Sequence, residues 1–139
     1  IYTLSLHDAL PICPRCDKPL GMQNGRIRQT QLSASSSWDV NHGPRNARLN
    51  FRRTGSRMGA WCARHNTRYQ WLAVDFYRAM RVVKISTQGR QDAAQWVTQY
   101  FVEYSQDGST FTDYKENSNR KVINRSGFMK CCRYPCVSD

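Results

Sequence analysis

The sequence predicts an all-β domain of the sandwich or jelly-roll kind, with its working surface in loops at one end. Three observations point there. Short segments alternate apolar and polar side chains, long polar connections separate them, and no amphipathic helix of useful length occurs in the 139 residues.

The elements follow in order. Gln31-Leu32-Ser33-Ala34-Ser35 alternates, and Trp71-Leu72-Ala73-Val74-Asp75-Phe76 reads as a short strand. So does Arg81-Val82-Val83-Lys84-Ile85-Ser86-Thr87, with Val83 and Ile85 on one face and Lys84 and Ser86 on the other. Between Trp96 and Tyr104, the side chains of Trp96, Thr98, Tyr100, Val102 and Tyr104 share a face. Trp96 is therefore expected in the core, as are Trp61 and Trp71. Asp107-Gly108 marks a hairpin, because both residues tolerate positive φ, and Phe111 and Tyr114 open the return strand. One connection stands out. Gly89-Arg90-Gln91-Asp92-Ala93-Ala94-Gln95 is far longer than a tight hairpin turn and carries an arginine at its mouth.

A chain of 139 residues suits one domain. Its net charge of +11 is unevenly placed: Arg45 to Arg90 holds eleven basic residues against the single acid Asp75. Gln91 to Glu116 reverses the balance, with five acids and one base, Lys115. Sixteen of the 21 basic residues are arginine, whose planar fork suits carboxylate, sulfate or phosphate. Gathered on one face, these charges imply an anionic partner; spread out, they make a solvated basic exterior. Asp75 ends an apolar strand, and Arg48 is its expected partner in a register-fixing ion pair.

Several function classes find no support. No stretch approaches the ~20 apolar residues that a membrane span needs. His7, His42 and His65 show no carboxylate or nucleophile spacing, and neither a Gly-rich phosphate loop nor a paired-acid metal site occurs. No enzyme activity is expected, and no cofactor is implied.

The two ends read differently from the middle. Residues 1–15 are expected to be a non-domain extension. IYTLSLHDALPI resembles the conceptual translation of a sequencing adapter, and it lacks both the initiator Met and the basic start of a signal peptide. Residues 123–139, INRSGFMKCCRYPCVSD, show neither strand alternation nor a helical face, and are expected to form an irregular tail after a domain spanning 16–122. Five of the six cysteines lie in or near these ends. Cys13-Pro14-Arg15-Cys16 has the spacing of a zinc knuckle, with Cys132 and Cys136 to complete it. However, Cys-Cys-x-x-x-Cys supplies no second CxxC, and Asp17-Lys18-Pro19 stands where a knuckle wants Gly. Disulfides in an oxidising compartment are the expected use, with the pairing open. Asn124-Arg125-Ser126 is a glycosylation sequon.

PLGMQNGRI, QLSASSSWDVNHGPRNARLN, GAWCARHNTRYQWLAVDF and ISTQGRQDAAQWVTQYFVEYSQDGSTFTDYKEN follow one another in an order and spacing that resemble the discoidin domain, or coagulation-factor-type C domain. The resemblance runs from Cys16 to Val122. It implies a distorted jelly-roll β-barrel and an extracellular adhesion module that binds phospholipid head groups, glycans, collagen or other proteins through loops at one end. Some members also hold structural calcium through loop carbonyls. The resemblance places Cys16 at the starting-Cys position and gives Cys62 a partner near the far end in some members. It also implies further closing strands that the present sequence does not match, so the barrel is expected to be incomplete and to fold poorly as a monomer.

The resemblance makes SSSWDVNHG (Ser35 to Gly43) and the Gly89–Gln95 segment projecting loops. Trp38 is the first ligand-binding candidate: it sits among polar neighbours, and an exposed indole suits stacking on a sugar, insertion at a lipid interface or anchoring in a protein groove. Collagen-binding members use a Trp at this position. The alternative is an indole folded back as a lid over the barrel end. Asp39, Val40 and His42 flank it as weaker candidates. Arg90 matches an arginine at the binding surface of collagen-binding members, and equally suits pinning its own loop. Arg52, Arg53 and Arg57 lie in FRRTGSRMG, a basic loop suited to sulfated glycan or anionic lipid, where each base near an anionic membrane is worth about 1 kcal/mol. The expected function is thus an extracellular recognition module for a glycan, an anionic phospholipid or a matrix protein such as collagen. Two alternatives stand beside it. One is an accessory carbohydrate-binding domain of a larger secreted enzyme. The other is a basic zinc-knuckle nucleic-acid binder, against which the arginines offer no recognition helix. The oligomeric state is left open.

Overall fold

The computed structural model of the chain describes residues 18–124. Among the described residues, the regular structure is eight short β-strands and three single turns of 3₁₀ helix, at Gln29–Gln31, Val40–His42 and Pro44–Asn46. The strands are β1 (Leu32–Ala34), β2 (Leu72–Val74), β3 (Gln99–Phe101), β4 (Glu103–Tyr104), β5 (Thr112–Asp113), β6 (Lys115–Glu116), β7 (Asn119–Arg120) and β8 (Val122–Asn124). Every ladder is antiparallel.

β1 pairs with β2, with Leu32 opposite Val74. The pairing extends at both ends, through Ser35 N–H to the Trp71 carbonyl (3.0 Å) and Asp75 N–H to the Gln31 carbonyl (2.8 Å). Leu32 faces inward and joins Leu20 and Ile27 as the buried apolar core, with Met22, Val74, Phe76 and Met80 packed against it. The turn from 21 to 27 brings Leu20 and Ile27 together and is closed by Ile27 N–H donating to the Gly21 carbonyl (3.2 Å). Gly21 has φ +120°, and a Cβ there would stand 2.4 Å from the Arg26 Cβ, so the turn needs glycine.

The remaining strands meander around a corner. β4 pairs with β5, β6 with β7, and β3 with β8. The middle segment therefore changes partner at Tyr114, whose N–H donates to the Val102 carbonyl (2.8 Å) and whose carbonyl accepts from Lys121 N–H (3.0 Å). Asn117 (φ 49°) and Ser118 (φ 66°) make the two-residue turn between β6 and β7, the twist that hairpins favour. Arg120 lies over the Phe101 ring at 3.8 Å and bridges Glu103 and Asp113, tying the strands across one face.

Several expectations need correcting. The span Arg81–Thr87 forms no strand, and Val82 and Val83 are both exposed. The long strand from Trp96 to Tyr104 is broken at Val102, where the partner exchange occurs. Trp71 and Trp96 are not core residues; each is half exposed, Trp71 just before β2 and Trp96 ahead of β3. Trp61 is partly buried, and its indole Nε1 donates to the Ser36 carbonyl (2.9 Å). The Arg48–Asp75 ion pair does not form. Arg48 Nη1 donates to the Met22 carbonyl (2.9 Å), and the Asp75 carboxylate accepts from Tyr77 N–H (2.7 Å). Asp107-Gly108 turns the chain, with Gly108 at φ 72°, but inside a longer loop than a tight hairpin. The cysteines at 13, 16, 132 and 136 lie outside the described residues.

Candidate functional site

Three loops lie side by side and are stitched together by main-chain bonds. The first runs from Ser35 to Asn46. Trp38 N–H donates to the Cys62 carbonyl (2.8 Å), and Cys62 N–H donates to the His42 carbonyl (3.2 Å). Met58 N–H donates to the Asn41 carbonyl (3.0 Å). The first loop is thus fixed along the segment from 58 to 62 without any continuous strand. Ser36 adds to the seam, accepting from Arg64 N–H at its Oγ (3.0 Å) and from Trp61 at its carbonyl.

The segment from 58 to 62 is in turn held by the Gly89–Gln95 loop. Asp92 Oδ1 accepts from Gly59 N–H (3.1 Å) and from Arg90 Nε (2.7 Å). A Cβ at Gly59 would stand 2.9 Å from Asp92 Oδ1 and 3.0 Å from the Gln91 Cβ, so the approach depends on a bare glycine. Arg90 also donates to the Gln95 side chain (2.9 Å) and lies 3.9 Å from the Cys62 sulfur. The Arg90 guanidinium beside Asp92 holds that carboxyl down at a pKa of about 2, with the Gly59 N–H assisting. Burial pushes the Cys62 thiol up, against the opposing pull of Arg90. Cys62 bonds to no other cysteine among the described residues.

At the crest of the first loop stand Trp38, 62% exposed, and Val40, 76% exposed. The indole is turned outward, not folded back as a lid. Asp39 separates the two, yet its Oδ1 faces back into the loop. It accepts from Asn41 N–H (2.8 Å), His42 N–H (3.0 Å) and His42 Nδ1 (2.7 Å), capping the 3₁₀ turn Val40–His42. The His42 contact, then the two N–H donors, hold the Asp39 carboxyl below the usual carboxylate range. His42 is buried beneath the turn. Asn46 lies deeper still, at 1% exposure, donating from Nδ2 to the Asn41 carbonyl (2.6 Å) and accepting from Arg57 Nε (3.2 Å).

The other candidates divide into two groups. Arg57 is drawn inward between Asn46 and the Phe51 ring, 4.8 Å from its centroid. Arg90 braces its loop in the same way, with 15% of its side chain exposed. Arg52 and Arg53 are exposed in the loop of residues 51–59, which is itself tied down where Arg53 N–H donates to Gln91 Oε1 (3.1 Å). Arg45 joins the crest from below, donating to the Val40 carbonyl (3.3 Å). It also helps line a shallow cleft of about 490 Å³ with Gln29, Ser37, Asp39, Val40, Gly43 and Pro44. Sequence reasoning did not single out Arg45, although its place in the basic run three residues after His42 was the available signal. No cluster of metal-ligating side chains occurs among the described residues. No helix among them is long and apolar enough to cross a membrane.

Short antiparallel ladders carrying braced loops with an exposed aromatic crest define a β-domain of the discoidin class. The chain belongs to the F5/8 type C domain family, whose model matches residues 31–129. EGF-like repeat and discoidin I-like domain-containing protein 3 of Homo sapiens is 36% identical over 118 residues, covering 76% of this chain and 23% of that protein. Lactadherin of Mus musculus is 36% identical over 113 residues, covering 78% of this chain and 24% of that protein. Coagulation factor V of Bos taurus is 36% identical over 110 residues, covering 75% of this chain and 5% of that protein. The chain therefore spans about a quarter or less of these relatives. Discoidin II of Dictyostelium discoideum is similar in structure, with a TM-score of 0.62 and 28% identity over 71% of this chain and 40% of that one. The discoidin-type all-β fold expected from the motifs is the fold of this chain.

Proposed function

We propose that this domain is an extracellular recognition module that docks by its crest on anionic phospholipid surfaces. Trp38 and Val40 enter the apolar side of the interface, while Arg45, Arg52 and Arg53 meet the head groups. One observation carries the reading: two apolar side chains are exposed on a turn where one oxygen of the intervening carboxylate, Asp39 Oδ1, is engaged in internal hydrogen bonds. The crest can therefore leave water without stripping an unpaired Asp39 Oδ1. Binding, rather than catalysis, suits a surface with a shallow cleft and outward anchors. Asp39, His42, Arg57 and Arg90 act by positioning the crest and its rim. The extracellular or ectodomain setting in this proposal rests on the family relationship.

Cosedimentation with phosphatidylserine-containing and pure phosphatidylcholine vesicles tests the proposal, alongside immobilised sulfated glycan and collagen. Retention on the anionic vesicles, weakening as salt rises, is the expected result. Capture by glycan or collagen with no vesicle binding overturns the lipid reading.

A further inference from the structure

We propose that Asn24-Gly25 is a site of spontaneous deamidation, taking water as its only co-reactant. The two residues lie in the exposed part of the turn between Gly21 and Ile27. Three features favour cyclisation. Gly25 sits at φ +80° with nothing within 4 Å of the place a Cβ would occupy, so no side chain crowds its α-carbon beside the attacking nitrogen. No acceptor among the described residues engages the Gly25 N–H, which leaves it free to lose its proton to solvent. The Asn24 Oδ1 accepts from Arg26 N–H (3.2 Å), which folds the side chain back over the main chain and stabilises the negative charge that grows on this oxygen during attack.

The chemistry balances within the turn. The deprotonated Gly25 nitrogen bonds to Asn24 Cγ, the Cγ–Nδ2 bond breaks, and Nδ2 leaves as ammonia after taking up a proton from water. Water then opens the five-membered imide. Opening at the side-chain carbonyl leaves aspartate, and opening at the main-chain carbonyl leaves isoaspartate, with the backbone one carbon longer. Either product places a new carboxylate beside Arg26 and Arg28. The isoaspartyl form also lengthens a turn whose two flanks, Leu20 and Ile27, are buried in the core.

Asn117-Ser118 is the internal comparison: it too is an exposed turn at positive φ, but its second residue carries a side chain that crowds the attacking nitrogen. The full chain is incubated in mildly alkaline buffer at body temperature and mapped by peptide mass spectrometry over time. The expected result is amide-to-acid conversion at Asn24 several-fold faster than at Asn117, with aspartyl and isoaspartyl peptides both present. Asn24→Ser, which keeps an oxygen acceptor for Arg26, is expected to abolish the product without altering the circular dichroism spectrum. Asn24 remaining an amide while Asn117 converts, or both converting at one rate, overturns the inference.

Discussion

Replacing Trp38 by Ala separates the crest from its scaffold. The Trp38 main-chain N–H, which donates to the Cys62 carbonyl, survives the change, so the loop keeps its seam. What goes is the indole, 62% exposed and therefore largely unused by the fold. A Trp side chain offers ~200 Å² to a partner, of which the exposed share is about 120 Å², worth roughly 3 kcal/mol if wholly withdrawn from water. Half to full burial in the interface corresponds to a roughly ten- to a hundredfold fall in partition coefficient. The assay is vesicle cosedimentation across a lipid titration, with near-ultraviolet circular dichroism checking that the remaining aromatic side chains keep their packing. An unchanged partition coefficient for a correctly folded Trp38→Ala chain refutes the reasoning.

Three further outcomes are expected. Arg52→Ala with Arg53→Ala should weaken binding to anionic vesicles by about 2 kcal/mol, roughly thirtyfold, and flatten the dependence on salt. Gly59→Ala, which drives a methyl to within 3.0 Å of Asp92 Oδ1 and the Gln91 Cβ, should cost about 1–3 kcal/mol in chemical denaturation; an unchanged midpoint would show that the loops do not meet as described. Because the Asp92 carboxyl is depressed in the folded chain, its contribution is complete above the ordinary carboxylate range. It is lost as pH falls through about 2, so acid should loosen the Arg90 loop, and Asp92→Asn should remove that part of the acid dependence in a pH-resolved unfolding series.

What was legible in the sequence depended on how far apart the interacting residues stand. Trp38 announced its exposure because both flanking residues, Ser37 and Asp39, are polar, a purely local signal. The strands around Leu32 and Val74 were equally local, since alternation reports which face is wet. Trp71 and Trp96 misled for the same reason: alternation says that a face is apolar, not that another layer covers it. The strand expected at Arg81–Thr87 has suitable residues, but a strand exists only when a partner supplies its hydrogen bonds. Arg48 and Asp75 complement each other in charge, yet Arg48 donates to the carbonyl of Met22. The least legible feature was the site's internal wiring. Asp39 as a cap and Asp92 as a clasp each depend on N–H groups brought near by the fold, and composition does not encode those approaches. The partner exchange at Tyr114 was invisible for the same reason.

The seam of main-chain bonds beneath the first loop has a consequence for how such a surface changes over time. Positions 38 and 40 are tied to the scaffold through their peptide groups, Trp38 through its N–H and Val40 through its carbonyl, while their side chains are mostly exposed. Their side chains are free to drift, as keys can be exchanged on a fixed ring. A lineage could therefore pass from one ligand to another by swapping two residues at the apex, with little penalty in folding at each step.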